Sequence, residues 1–110
     1  MWTHFDDMHS GGGKKTDYEH IFIEGNKKEA ADIFTDRFGR SPYGETCSCC
    51  GDDYSIDEAE TLQAATWFER GCRWEDGVGY QEKPGNRGKY QTLEEFEKRA
   101  DVIIIRKVAL

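Results

Sequence analysis

The sequence predicts an α+β fold: a single small domain in which about three helices pack on a small sheet, the first and last strands pairing at its centre. Three observations lead there. A length of 110 residues makes one domain of ordinary size. Two β-branched apolar runs, IFI near the start and VIII near the end, read as strands. Between them lie three polar-x-x-Glu pairs of the kind that opens a helix. Fourteen aromatics argue for an ordered chain, since disordered chains are poor in them.

The elements follow in order. The opening, MWTHFDDMHS, spaces Trp2, Phe5 and Met8 by three and predicts a short docked turn, with His4 and His9 capping backbone groups. Residues 10–17, SGGGKKTD, predict a flexible joint, because a glycine triplet loses too much backbone freedom inside an element. Residues 18–24, YEHIFIE, alternate Ile21 and Ile23 against Tyr18, His20 and Phe22, the period of a strand. Asn26 with Glu29 opens a helix whose apolar face is Ala30, Ile33, Phe34 and Phe38; Gly39 closes it and Pro42 bars its continuation. Residues 46–54, TCSCCGDDY, form a cysteine loop. Ser55 with Glu58 predicts a second helix, striped by Ala59, Leu62, Ala65 and Phe68 and ending at Gly71 and Cys72. Residues 75–91 predict a loop and short ribbon turning at Pro84-Gly85. Thr92 with Glu95 opens a third helix, with Leu93 and Phe96 inward, and 102–110 closes the chain as a strand.

Charge narrows the function classes. The net charge is −7, and one segment holds all of it: Ser41 to Glu69 has seven acids and no Lys or Arg. Elsewhere fifteen acids and fifteen bases cancel. Such a field repels nucleic acid and favours a basic partner. Asp52, Asp53, Asp57, Glu58 and Glu60 are the candidate partner-binding residues, with a solvated helix face as the plainer alternative. Nucleic-acid contact would fall to Lys83, Arg87 and Lys89, against the overall balance. The longest apolar run, Val102 to Ile105, is far short of a membrane span, and no basic-then-apolar leader opens the chain. The expectation is a cytoplasmic protein with reduced thiols.

In that setting Cys47 and Cys50, spaced C-x-x-C and followed by Gly51, suit two thiolate ligands of one Zn2+. Cys72 is the natural third ligand, and His9, His4, His20 or Cys49 the fourth. Buried thiols or a disulfide are the alternatives, although adjacent cysteines such as Cys49 and Cys50 pair only under strain. A redox role is disfavoured, because Asp52 and Asp53 would raise a thiol pKa. His4, Asp7 and His9 are the candidate catalytic residues of a small metal-dependent enzyme. Asp7, His9 and Ser10 lie side by side, but catalytic triads are assembled in space rather than in sequence. No P-loop, nucleophile elbow or H-E-x-x-H is present.

The opening MWTHF-x-DMHSGG, the β-α unit ending in RFG and the C-x-C-C-G-x-D-Y-S motif together resemble a group of small uncharacterised proteins of tailed bacteriophages. The likeness covers most of residues 1–72. It implies a phage product acting in the cytoplasm of the infected bacterium and carries over no catalytic residue. Joined to the acidic segment, it makes the leading expectation a non-enzymatic accessory protein or inhibitor that binds a host or defence protein through a basic surface on that partner.

Overall fold

The computed structural model describes residues 1–47, 51–70, 72–75, 78–81 and 91–107, with only the backbone described at 72–75 and 78–81. In chain order the elements are β1 (Trp2–Asp7), β2 (His20–Glu24), α1 (Lys27–Phe38), β3 (Tyr54–Ala59), α2 (Leu62–Ala65), β4 (Cys72–Glu75), β5 (Val78–Gln81), α3 (Leu93–Glu97) and β6 (Val102–Ile105). A four-stranded mixed sheet runs β3-β1-β2-β6. β1 is antiparallel to both neighbours, and β2 pairs with β6 in parallel. β4 and β5 form a separate antiparallel ribbon.

The α+β class and the number of helices, three among the described residues, are as the sequence predicts. The two apolar strands do pair, His20 against Val102 through Ile23 against Ile105. β2 is interior, whereas β6 lies at the edge of the described sheet rather than at its centre. The other interior place is taken by β1, the segment expected to be a docked tail. Polar residues at buried positions hide the alternation of β1: Thr3, Phe5 and Asp7 point to one face, His4 and Asp6 to the other. Thr3 offsets its burial by donating to the Gly25 carbonyl at 3.0 Å. Of the three expected anchors, Phe5 is fully buried but Met8 is 53% exposed.

The second correction concerns residues 55–71. Ser55 and Glu58 do not cap a helix there; 54–59 is β3, paired along β1 from Tyr54↔Asp7 to Ala59↔Trp2. Glu58 instead accepts the amide of Lys27 at 2.6 Å, so it serves the start of α1. The helix begins later, at Thr61, whose hydroxyl accepts from the Ala64 amide, and it is one turn long. Cys72 consequently opens β4 rather than following a helix. The expected Pro84-Gly85 turn lies outside the described residues, as do 108–110.

α1 is built as its sequence dictates. Asn26 and Glu29 close a reciprocal capping box, and Gly39 ends the helix at φ 68°, a conformation that favours glycine. The helix lays Ala30 and Phe34 on Phe5, Ile21, Ile23 and Tyr54. α2 and α3 cover the opposite face, where Phe22, Leu62, Phe96 and Val102 cluster. The sheet is thus covered on both faces, the usual solution for strands with apolar residues on each side.

Candidate metal centre

The α2 side of the sheet carries a polar island beside its apolar cluster. His4 and Asp6 project from β1 at a spacing of two, and so share a face. In β2, Asp6 faces His20 and His4 faces Phe22. The diagonal brings His4 Nε2 to 3.0 Å from His20 Nδ1. Both histidines are buried, and the His4 ring stacks on Phe22 with centroids 4.2 Å apart. His20 Nδ1 also lies 3.4 Å from Asp6 Oδ1, and its Nε2 lies 3.5 Å from Glu69 Oε2.

Glu69 reaches the island from the turn after α2. That turn is held by Arg70, which is buried and donates from Nε to the Thr66 hydroxyl at 2.8 Å and from Nη2 to the Gln63 carbonyl at 3.2 Å. Its guanidinium also lies 5.6 Å from the Trp67 ring centroid. Fixing Arg70 fixes the residue before it.

Among the described residues, His4, His20 and Glu69 form a trio able to hold a metal ion, one ligand atom from each lying within 4.8 Å of the others. His4 and Glu69, though not His20, line a cleft of about 380 Å³ together with Asp6, Asp57, Glu58 and Phe68, and among the described residues no Lys or Arg lines it. Burial, and then the neighbouring His20, hold the His4 imidazole down to about 3, so it is neutral at neutral pH. Burial pushes the Asp6 carboxyl up; His20 opposes this, while Glu69, Glu19 and Asp7 add to it.

The other predicted site residues fall elsewhere. Asp7 is buried on the opposite face and accepts the amides of His9 at 2.8 Å and Lys15 at 2.7 Å, which folds the glycine-rich segment back on itself. His9 adopts a left-handed φ of 57° and pairs with Glu19 at 2.6 Å. The structure therefore does not bring His4, Asp7 and His9 together. The segment 10–17 is tied down rather than a free joint: Ser10 is buried, accepts the Cys47 amide at 3.1 Å and donates to the Gly51 carbonyl at 3.0 Å. Lys15 Nζ donates to the carbonyls of Ser10 and Gly13.

The cysteine loop closes through the Gly51 amide on the Cys47 carbonyl at 3.2 Å, with Gly51 at φ +86°. Cys49 and Cys50 lie outside the described residues, and at Cys72 only the backbone is described. Of the acidic set, Asp53 is buried and accepts the Thr46 amide at 2.7 Å. Burial would raise its carboxyl, but donation from Thr46 and the charges of Lys15 and Arg40 outweigh that and hold it below the usual range. Asp52, Asp57, Glu58 and Glu60 are exposed.

Sequence reasoning missed Asp6 and Glu69 as site residues and separated His4 from His20. The signal was present as H-x-D in the opening and H-x-F in YEHIFIE, two strand-period pairs that meet once both segments are strands. No family model, no curated protein and no solved structure matches the chain.

Proposed function

We propose that this protein binds a divalent ion, zinc or one chemically close to it, on His4, His20 and Glu69, and that the ion serves a metal-dependent activity in the adjoining cleft. The observation that carries this reading is the convergence of two buried imidazoles and a carboxylate. Imidazole suits ions of the zinc class better than calcium or magnesium, which take oxygen. A ligand must be deprotonated, and a neutral His4 has no proton to lose at neutral pH. The carboxylate lining draws cations in.

Three protein ligands leave a coordination position open. An ion held by His4, His20 and Glu69 would supply Lewis-acid activation of water for hydrolysis. With carboxylates around it, a neutral or cationic substrate fits the cleft better than an anionic one. Titrating Zn2+ into metal-stripped protein by calorimetry should give saturable one-to-one binding. Glu69→Gln and His4→Phe should each weaken it by at least about 100-fold while the circular dichroism is unchanged. Absence of saturable binding by the wild type overturns the reading.

A second reading rests on a separate observation: Asp57 and Glu60 are exposed along and just beyond β3, an edge strand of the described sheet. There a basic partner could be engaged, and the resemblance to phage proteins suggests a host or defence protein in the bacterial cytoplasm. Acids on an edge strand also serve to block sheet-to-sheet association. A pull-down from host lysate decides between them: a partner released by salt and by charge reversal of Asp57 and Glu60 supports engagement, and none leaves edge protection.

A further inference from the structure

The cleft beside the histidine trio has an apolar wall that a metal ion does not use. Ala59 of β3, Ala64 and Ala65 of α2 and Phe68 beyond it line the cleft, and Phe68 is 74% exposed. Apolar surface left open in a concavity is the usual mark of a ligand site. The volume, about 380 Å³, lies at the small end of the range for such sites and suits one side chain or a small molecule.

The polar lining is unevenly engaged. Asp6 and Glu69 lie against His20, and Glu58 accepts the Lys27 amide. Asp57 is exposed and, among the described residues, its carboxylate has no hydrogen bond or ion pair. The register sets Asp57 directly opposite His4 in the neighbouring strand, with Ala59 two residues on along the same face. His4 itself is only 8% exposed and lines the cleft. Its Nε2 meets His20, and among the described residues no hydrogen bond reaches its Nδ1, so a buried polar group of the cleft is left for a ligand.

We infer that the cleft binds a cation carried on an alkyl stem, its ammonium head beside Asp57 and His4 and its stem over Ala65 and Phe68. Carboxylates with no Lys or Arg among the described lining give a negative field that concentrates cations and rejects anions. A bare metal ion makes no use of the apolar wall, and among the described residues Asp57 belongs to no cluster able to hold one. An alkyl stem buries against that wall, and the face of the Phe68 ring adds attraction for the positive head. The lysine side chain of a basic peptide and a free alkylamine share this chemistry.

That this ligand is the substrate at the metal rests on the metal reading above; its binding in the cleft does not. Amide chemical shifts of nitrogen-15-labelled protein, titrated with n-pentylammonium at neutral pH, test it. Saturable shifts at Asp57, Ala65 and Phe68 are expected. The neutral analogue n-pentanol should bind about 5-fold more weakly, and added salt should narrow the difference. Asp57→Asn should remove that preference and leave pentanol affinity unchanged, while Phe68→Ala should weaken both. Tighter binding of Nα-acetyl-lysine-N-methylamide than of pentylammonium assigns the head to a peptide side chain; equal or weaker binding assigns it to a free amine. Equal binding of pentanol and pentylammonium by the wild type, or no saturable shift in the cleft, overturns the inference, and both arms stand even if the variants fail to fold. An unchanged preference in a folded Asp57→Asn protein also overturns it. Zinc-equilibrated protein separates the two readings. Zinc binding without ammonium binding overturns this inference alone. Ammonium binding by a protein that holds no zinc overturns the metal reading and leaves the cation site. Zinc and ammonium that exclude each other overturn the substrate half.

Discussion

The two faces of the main sheet differ in what they bury. The α1 face centres on an apolar core, Phe5, Ile21, Ile23, Ala30, Phe34 and Tyr54, and the titratable group it buries, Asp7, is satisfied by the amides of His9 and Lys15. The opposite face has its own apolar cluster around Phe22 and Phe96, yet beside it buries two histidines. Burying apolar area is favourable in itself, whereas burying titratable groups costs free energy unless they are partnered. One face therefore needs no reason beyond stability. The other carries a cost that a ligand-binding role explains, and the cleft opens on that side.

The comparison is broken most severely by Phe34→Ala. Phe34 is fully buried and packs on the rings of Phe5 at 4.9 Å and Tyr54 at 5.1 Å. Urea unfolding should show a loss of about 3–5 kcal/mol. Zinc affinity of the fraction still folded should be unchanged, because the site lies across the sheet.

The next largest effect is a pH dependence carried mainly by the polar face. The folded His4 titrates at about 3, below its unfolded value of about 6.5. Between those values the unfolded chain binds the extra proton. The contribution of His4 is thus fully present above about pH 6.5 and is lost as pH falls toward 3, a change of about 3–5 kcal/mol. Asp6, with its carboxyl pushed up, acts with the opposite sign and blunts the loss. Asp53 and Asp101, held low, add their own loss only below about pH 4. Chemical denaturation of wild type and His4→Phe from pH 7 to 4 isolates the effect: the variant should show a flatter acid limb.

A smaller effect sharpens the apolar side. Asn26→Ala removes the reciprocal cap of α1 and should cost about 1 kcal/mol, read as a lower urea midpoint with unchanged slope. Smallest of all, Asp57→Asn at the exposed rim of the cleft should change stability by less than about 0.5 kcal/mol. It should weaken zinc binding only slightly, and less at higher salt.

The legible parts of the sequence were those where local chemistry and burial agree. α1 could be read residue by residue, from Asn26 to Gly39, because cap, stripe and stop all point the same way. The pairing of Ile21 and Ile23 with Ile103 and Ile105 was announced by two β-branched runs. β1 was not legible, because its buried residues include Thr3, His4 and Asp7, so hydropathy gives no period. β3 is hidden because Ser55-x-x-Glu58 is a sound helix start locally; long-range pairing with β1 outweighs it. The site depended on both segments. With residues 2–7 read as a tail, nothing sets His4 beside His20 or distinguishes Asp6 from Asp7.

The most direct test asks which part of the molecule holds an ion: the histidine cleft or the cysteine loop. Native mass spectrometry of untagged, zinc-equilibrated protein should be run on wild type, Cys47→Ser, His4→Phe and Glu69→Gln. The account predicts that wild type and Cys47→Ser both retain the cleft zinc and that His4→Phe and Glu69→Gln each lose one zinc relative to wild type. Zinc lost from Cys47→Ser and retained in full by both cleft variants would contradict it.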